Sequence, residues 1–217
     1  MLWAWERPEN LEFIDPKTTG VAFLAQTVYL DKKGTRPQLR QQPLDVPPET
    51  YLIGVTRIET NKKTESRPEY SDEQAAKITS AVKRTVEMPG VKEIQIDFDA
   101  ALSERAFYRK MMKLLRSELP PEVPLSMTAL ASWCVGDVWL GDMPVVEAVP
   151  MVFEMGADND TIRNFLDKGN DWNEPLCRAS YGISLNERLP AGIRPDRGTF
   201  YFNARAWKPS DKQFLPY

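Results

Sequence analysis

The chain has 217 residues, 28 Lys+Arg against 31 Asp+Glu for a net charge of −3, 42% hydrophobic content and 18 prolines. This describes a globular chain with many turns and argues against disorder; the two signs are interspersed with no basic stripe, which argues against a nucleic-acid partner. No apolar run approaches the roughly 20 residues of a transmembrane helix, and Met1–Glu6 lacks the basic start and long apolar core of a signal peptide. As written, the chain is expected to stay in the cytoplasm; a trimmed leader would place it in the periplasm or outside the cell.

Histidine is absent. That removes Ser-His-Asp and Cys-His nucleophiles, the common zinc sites and histidine acid–base work. Chemistry must then run on carboxylates, Tyr, Lys, Arg, Ser or a hard cation. No metal or cofactor motif is visible, and neither group is expected. Cys134 and Cys177 follow neither metal-ligand nor redox spacing. They are expected to be reduced and to lie near opposite ends of the fold.

Along the chain one event repeats: a short β-rich run, a polar residue, then a turn or helix. The runs are Leu2–Glu6, Gly20–Leu30, Tyr51–Glu59, Glu93–Asp99, Leu125–Trp133, Ala148–Glu154, Ala179–Ser184 and Thr199–Arg205. Eight such runs, rich in Val, Ile, Leu, Phe and Tyr, predict a single domain over residues 1–217, an α/β fold of the (β/α)8 TIM-barrel type. The helices stand out in the middle. Ser71 with Gln74 forms a capping-box signature ahead of an Ala75/Ile78/Val82/Val86 stripe, and helices are also predicted near 103–119 and 160–168. Glu9–Ile14 and Asp137–Leu140 could each form one helical turn. Residues 31–50 and 185–198 are rich in Pro and Gly without helical period; the first stretch suits an extra hairpin. The barrel is therefore expected to be irregular, with some outer helices short or missing.

The run at 93–99 carries the strongest functional signal. Side chains alternate along a strand, so Gln95, Asp97 and Asp99 share one face and Ile94, Ile96 and Phe98 the other. Two acids two residues apart repel each other, and such pairs persist where water, a cation or a polar ligand reaches them. Strand carboxyl ends are where barrels place their ligand sites. The expected mouth collects Trp3, Trp5 and Glu6 from the first run, Arg57 and Glu59 from the third, Asp97 and Asp99 from the fourth, Glu154 from the sixth, Ser180 and Ser184 from the seventh, and Asn203 and Arg205 from the eighth, with Trp207 beyond. Glu59, Asp97, Asp99 and Glu154 are the candidate catalytic carboxylates; Trp3, Trp5, Glu6, Arg57, Asn203 and Arg205 are candidate substrate-binding residues. Adjacent strands lie about 4.8 Å apart, so such carboxylates can reach both the retaining and the inverting spacing of glycoside hydrolysis. Aromatic faces beside carboxylates and amides suit a sugar ring. The same residues also fit a structural reading: an Asp pair capping a helix, Arg57 and Glu59 in an ion network, and tryptophans as core.

Two resemblances follow. Trp-Glu-Arg-Pro at 5–8, Arg-Ile-Glu at 57–59, Ile-Asp-Phe-Asp-Ala at 96–100, Thr-Ala-Leu-Ala-Ser-Trp-Cys at 128–134, Ala-Val-Pro-Met at 148–151, Pro-Leu-Cys-Arg at 175–178 and Gly-Ile-Ser at 182–184 resemble a bacterial domain-of-unknown-function family, the one numbered 3142. That likeness implies no established activity. More loosely, Ile96–Ala101 is similar to the fourth strand of family 18, chitinase-type glycoside hydrolases, Asp-x-x-Asp-x-Asp-x-Glu. Asp97 and Asp99 match its two supporting aspartates, and Ala101 takes the place of its acid; Met151, Phe153 and Glu154 echo its sixth-strand Met-x-Tyr-Asp. The likeness implies a carbohydrate-active barrel whose acid comes from elsewhere, Glu59, Glu6 or Glu154. The alternative is a catalytically idle barrel that binds a glycan or a protein partner. A metal-dependent phosphoesterase is a more distant reading, built on oxygen ligands alone.

Overall fold

The computed structural model describes residues 1–137 and 139–214. Eight parallel strands close into a barrel: β1 Leu2–Ala4, β2 Val21–Asp31, β3 Leu52–Thr60, β4 Val91–Asp97, β5 Leu125–Leu130, β6 Ala148–Met151, β7 Ser180–Ser184 and β8 Gly198–Phe202. Each strand pairs with the next in chain order, and β1 pairs with both β2 and β8, which shuts the ring. The fold class is thus the (β/α)8 barrel that the eight β-rich runs predict.

Period-2 alternation decides what fills the barrel. Trp3, Ala22, Leu24, Ile53, Val55, Val149, Phe200 and Phe202 form one buried cluster, with Trp5, Met151 and Phe153 packed against its upper edge. The alternate residues face the helices: Ile94 and Ile96 of β4 join Ile78 and Val82 of α1 (Asp72–Val86) and Tyr108, Met111 and Leu115 of α2 (Arg105–Glu118) in the largest core. Polar Gln95, inside and fully buried, donates to Ser126, which donates to Glu93.

Helix α1 begins as its sequence dictates. The Ser71 side chain accepts from the Gln74 backbone N–H while the Gln74 side chain accepts from that of Ser71. The outer layer is completed by the short α3 (Ala131–Val135) and by α4 (Asn159–Asp167). Helices are missing between β1 and β2, β2 and β3, and β7 and β8. In the second of these gaps an antiparallel strand, Gly34–Leu39, pairs with the outer half of β2 and continues the wall beyond the three-residue β1.

Several boundaries differ from the sequence reading. The strands end earlier: Trp5, Glu6, Asp99, Glu154, Asn203 and Arg205 all lie in the loops beyond their strands, and Trp133 lies in α3. Residues 9–14 open as a two-residue strand, Glu9–Asn10, paired with Leu44–Asp45, in place of a helical turn at Glu9. The turn expected at Asp137–Leu140 includes residue 138, outside the described residues.

The cysteines require a correction. Cys134 and Cys177 are bonded, with Cα atoms 5.9 Å apart, and both are fully buried. Their neighbouring strands, β5 and β7, are two apart, yet both cysteines belong to the one core cluster that packs between the barrel and its helices. Cys134 is already one turn into α3, and Cys177 lies in a 3-10 turn, Pro175–Cys177, before β7. The backbone N–H groups of Asn173 and Glu174 donate to the Cys134 carbonyl, locking the two segments side by side.

The seam between β1 and β8 has one register pair, Leu2 with Tyr201; the Met1 amino group donates to the Thr199 carbonyl, the Tyr201 N–H donates to the Met1 carbonyl, and side chains add the rest. Arg7 donates to the carbonyls of Asn203, Ala204 and Arg205 and pairs with the buried Glu9 at 2.6 Å. Glu9 in turn accepts from the Trp207 N–H, whose indole donates to the Trp3 carbonyl. Arg40 binds the carbonyls of Trp5 and Arg7 from the hairpin side. No helix among the described residues is long and apolar enough to cross a membrane.

Candidate functional site

A cleft of about 160 Å³ opens at the carboxyl mouth, lined by Trp3, Trp5, Arg57, Asp97, Asp99, Thr128, Leu130, Met151, Phe153, Glu154 and Phe202. Smaller hollows adjoin it on both sides. One, of about 70 Å³, shares Arg57, Asp97 and Asp99 and adds Glu59, Thr60 and Lys62. The other, of similar size, shares Leu130, Met151, Phe153 and Glu154 and adds Ser132, Met155 and Asp158. Together they form a groove across the mouth.

Strand register explains its centre. Arg57 on β3 and Asp97 on β4 are register partners. The neighbouring β5 brings Thr128 beside Asp97, and its hydroxyl donates to Asp97 Oδ1 at 2.8 Å. Arg57 does not close onto Asp97: its Nε lies 2.7 Å from Glu59, and its guanidinium covers the Trp5 ring at 5.8 Å. Desolvation works against the Arg57 charge, but Asp97 and Glu59 outweigh it and hold the guanidinium above its ordinary pKa.

Asp97 is the most perturbed acid of the cleft. Burial and then the charge of Asp99 push its pKa up from 3.8 to about 6, against the pull of Arg57 and the Thr128 hydroxyl. Desolvation also raises Asp99, with Glu59 adding to it, while Arg57 and Lys62 oppose. Asp99 stands at the exposed rim, and no salt bridge reaches it among the described residues.

Across the cleft, Glu154 has φ 50°, a left-handed conformation that L residues with a Cβ seldom adopt. Its N–H donates to Glu187 Oε1 at 2.9 Å, and Glu187 is anchored by Arg163 at 2.8 Å. A strained residue so fastened is a mark of functional sites. The aromatic rings pack as one group: Trp3 stacks on Phe202 at 4.5 Å, Phe153 meets Phe202 at 4.6 Å, and Trp5 lies 5.5 Å from Trp3.

Of the residues singled out in the sequence, Trp3, Trp5, Arg57, Asp97, Asp99 and Glu154 meet in the main cleft and Glu59 in the adjoining hollow. Glu6 accepts the Gln41 N–H, Arg205 pairs with Asp211 at 2.6 Å, and Asn203 accepts the Arg205 N–H; none of the three lines the groove. Sequence reasoning missed Thr128 and Phe202, both on the inward face by alternation. It also missed Glu104, buried behind the mouth, which accepts from Thr60, Lys62, Tyr70 and the Ala101 N–H. Desolvation raises that carboxyl, and these four donors outweigh it to leave its pKa lowered. Among the described residues, no group of three or more His, Cys, Asp or Glu side chains is placed to hold a metal ion.

Fold and cleft define a TIM-type barrel with a polar, aromatic-floored carboxyl mouth. No family model matches the chain, and no curated protein matches it. The crystal structure of the Bacillus cereus spore cortex-lytic enzyme SleL is similar to it, with a TM-score of 0.51 and 17% sequence identity over 85% of this chain. The chain spans 50% of the length of that structure. At this identity the likeness is one of fold.

Proposed function

We propose that the barrel is a carbohydrate-active protein of glycoside hydrolase type, using carboxylates at the ends of its strands. One observation carries this reading: a single cleft joins Trp5, Phe153 and Phe202 faces to Asp97, whose proton is retained to about pH 6. Sugars are bound by such faces and cleaved by acids with raised pKa. In this reading Asp97 carries the proton for the leaving oxygen, and Glu154, on the opposite wall, is the carboxylate that acts as base or nucleophile. Asp99 and Arg57 set the local charge. The shared barrel of a cortex-lytic enzyme supports the assignment. We further propose kinship with the family numbered 3142, supported by the mapping of Trp5–Pro8, Arg57–Glu59 and Ile96–Ala100 to the mouth and its seam. The buried Cys134–Cys177 bond supports an oxidising compartment, periplasmic or external, as the place of work.

A second reading, an idle barrel that binds glycans or a protein, is favoured by Ala101. Where family 18 has its acid, this chain has a methyl group, and the adjacent backbone is used to bind Glu104. Reporter glycosides and reducing-end release from polysaccharides separate the two. If the barrel is catalytic, Asp97→Asn and Glu154→Gln each cut turnover by about 10²-fold or more. Glycan binding without turnover in the wild type selects the idle barrel, and neither binding nor turnover rejects the carbohydrate assignment.

A further inference from the structure

The connection from β7 to β8 has no helix, and residues 185–198 are fastened to α4 instead. The Ala191 N–H donates to Asp167 Oδ1, and a Cβ on Gly192 would come within 1.8 Å of the Leu166 carbonyl oxygen. One turn earlier in α4, Arg163 donates to the Arg188 carbonyl and to Glu187 Oε2. The start of the connection is tied to the barrel. There the Asn186 N–H donates to Ser184 Oγ, and Asn186 Oδ1 accepts from the Ala204 N–H. Glu187 is thus anchored through the chain on both sides of it.

Glu187 uses its two oxygens on two different segments. Oε1 accepts the Glu154 N–H at 2.9 Å, and Oε2 accepts from Arg163 at 2.8 Å. These partners lie on opposite sides of one torsion, the Glu154 φ of 50°. Ahead of it, the Val152 N–H donates to the Gly182 carbonyl and ties the chain to β7. Beyond it, the chain passes through Gly156, φ 55°, and the 3-10 turn Gly156–Asp158 into α4, where Asn159 Oδ1 accepts from Arg163 at 2.8 Å. A left-handed residue with a Cβ persists only where its surroundings over-determine it. Glycine takes that conformation without the clash, as Gly156 does, yet position 154 carries a carboxylate that lines the cleft.

We propose, resting on the carbohydrate reading, that Glu187 and Arg163 are positioning residues for Glu154. Together they clamp both sides of its strained torsion and so present its carboxylate to the cleft. Neither lines the groove, so both act through Glu154. Glu187→Ala removes the clamp altogether. Glu187→Gln keeps an acceptor for the Glu154 N–H but offers Arg163 no charge, so its effect should be the smaller of the two.

One measurement is independent of activity. Glu154→Gly and Glu154→Ala are each made with Glu187 present and with Glu187→Ala, and the whole chains are unfolded in urea. With Glu187 present, Glu154→Gly should exceed Glu154→Ala about fivefold in the folding equilibrium constant. With Glu187→Ala the backbone is free to relax, and that advantage should fall below about twofold. Where Glu187→Ala does not fold, Glu187→Gln takes its place and should still reduce the advantage. An undiminished advantage without Glu187, or none with it, overturns the clamp.

The second measurement is turnover of nitrophenyl glycosides of glucose and N-acetylglucosamine and of reducing ends released from chitin and cellulose. Glu187→Ala and Arg163→Ala should each lower kcat by about tenfold to a hundredfold and change KM less than about threefold, because a misaimed group loses alignment and not binding. Glu187→Gln should lose less. Added to Glu154→Gln, Glu187→Ala should cost nothing further, since no carboxylate is left to aim. An unchanged kcat in Glu187→Ala, or a full further loss in the double variant, rejects the positioning role and leaves the carbohydrate reading standing. A wild type that turns over none of these substrates removes the catalytic reading and the positioning role with it, whatever the urea series shows.

Discussion

Asp97 keeps a proton that an unfolded chain would release. Its folded pKa of about 6 lies above the ordinary 3.8, so between these values the native state binds more protons and stability falls as pH rises. Below this window both states are protonated, and above it the full penalty applies, at most about 3 kcal/mol for a shift of roughly two units. Asp97→Asn retains an acceptor for Thr128 and removes the charge. It should raise the melting temperature at pH 7–8 and leave it almost unchanged near pH 3.5. Arg57 is not stranded by this change, because Glu59 holds it at 2.7 Å. A fall in melting temperature at pH 7 would show instead that Asp97 neutralises a structural cation. Glu154 makes a second residue-scale case. Its φ of 50° suits glycine, so Glu154→Gly should be more stable than Glu154→Ala by about 1 kcal/mol although both lose the carboxylate. Denaturant unfolding of the pair measures the difference, and equal stabilities would mean that the backbone carries no strain at that position.

At the scale of elements, periodicity made the central helices readable. The Ser71/Gln74 box and the Ala75–Val86 stripe determine α1 locally, and the Ile94/Ile96 alternation determines which face of β4 meets it. Strand ends were less legible, because Trp5, Asp99 and Glu154 follow the β pattern in sequence but belong to loops whose hydrogen bonds come from distant partners such as Glu187. The cysteine pairing was not legible at all. It depends on how two irregular outer segments cross, a tertiary fact with no periodic signal. Because the bond closes a stretch with sequence separation 43, replacing both cysteines by alanine should cost about 2–4 kcal/mol. Thiol titration of the unfolded, unreduced protein should find no free thiol; two free thiols would refute the bond.

For the whole molecule, eight recurring strand-and-turn units were enough to indicate a barrel, since closure needs only that each unit bury one face inward and one outward. Which polar residues converge at the mouth depends on register as well. Arg57 and Asp97 are found together because β3 and β4 align them, and Thr128 follows from β5; Glu6 instead bonds Gln41, Asn203 the Arg205 N–H, and Arg205 pairs with Asp211. The absence of helices from three connections leaves Arg7, Glu9 and Arg40 to hold loops together that a helical layer would otherwise cover.

That seam also has a consequence for the order in which the molecule assembles. Most strands meet a neighbour close in sequence, but β1 and β8 must meet across nearly the entire chain, through one register pair, the Met1 and Trp207 bonds, and the Arg7 contacts that span 196–198 residues. Contacts of such separation are the most costly in loop entropy and tend to form late. Closing the ring should therefore follow the rate-limiting barrier, and losing it should be the first event of unfolding. Arg7→Ala should speed unfolding with little change in the folding rate, as expected for a contact absent from the transition state. Stopped-flow unfolding and refolding in urea measure both arms, and an equal slowing of refolding would place the ring closure before the barrier.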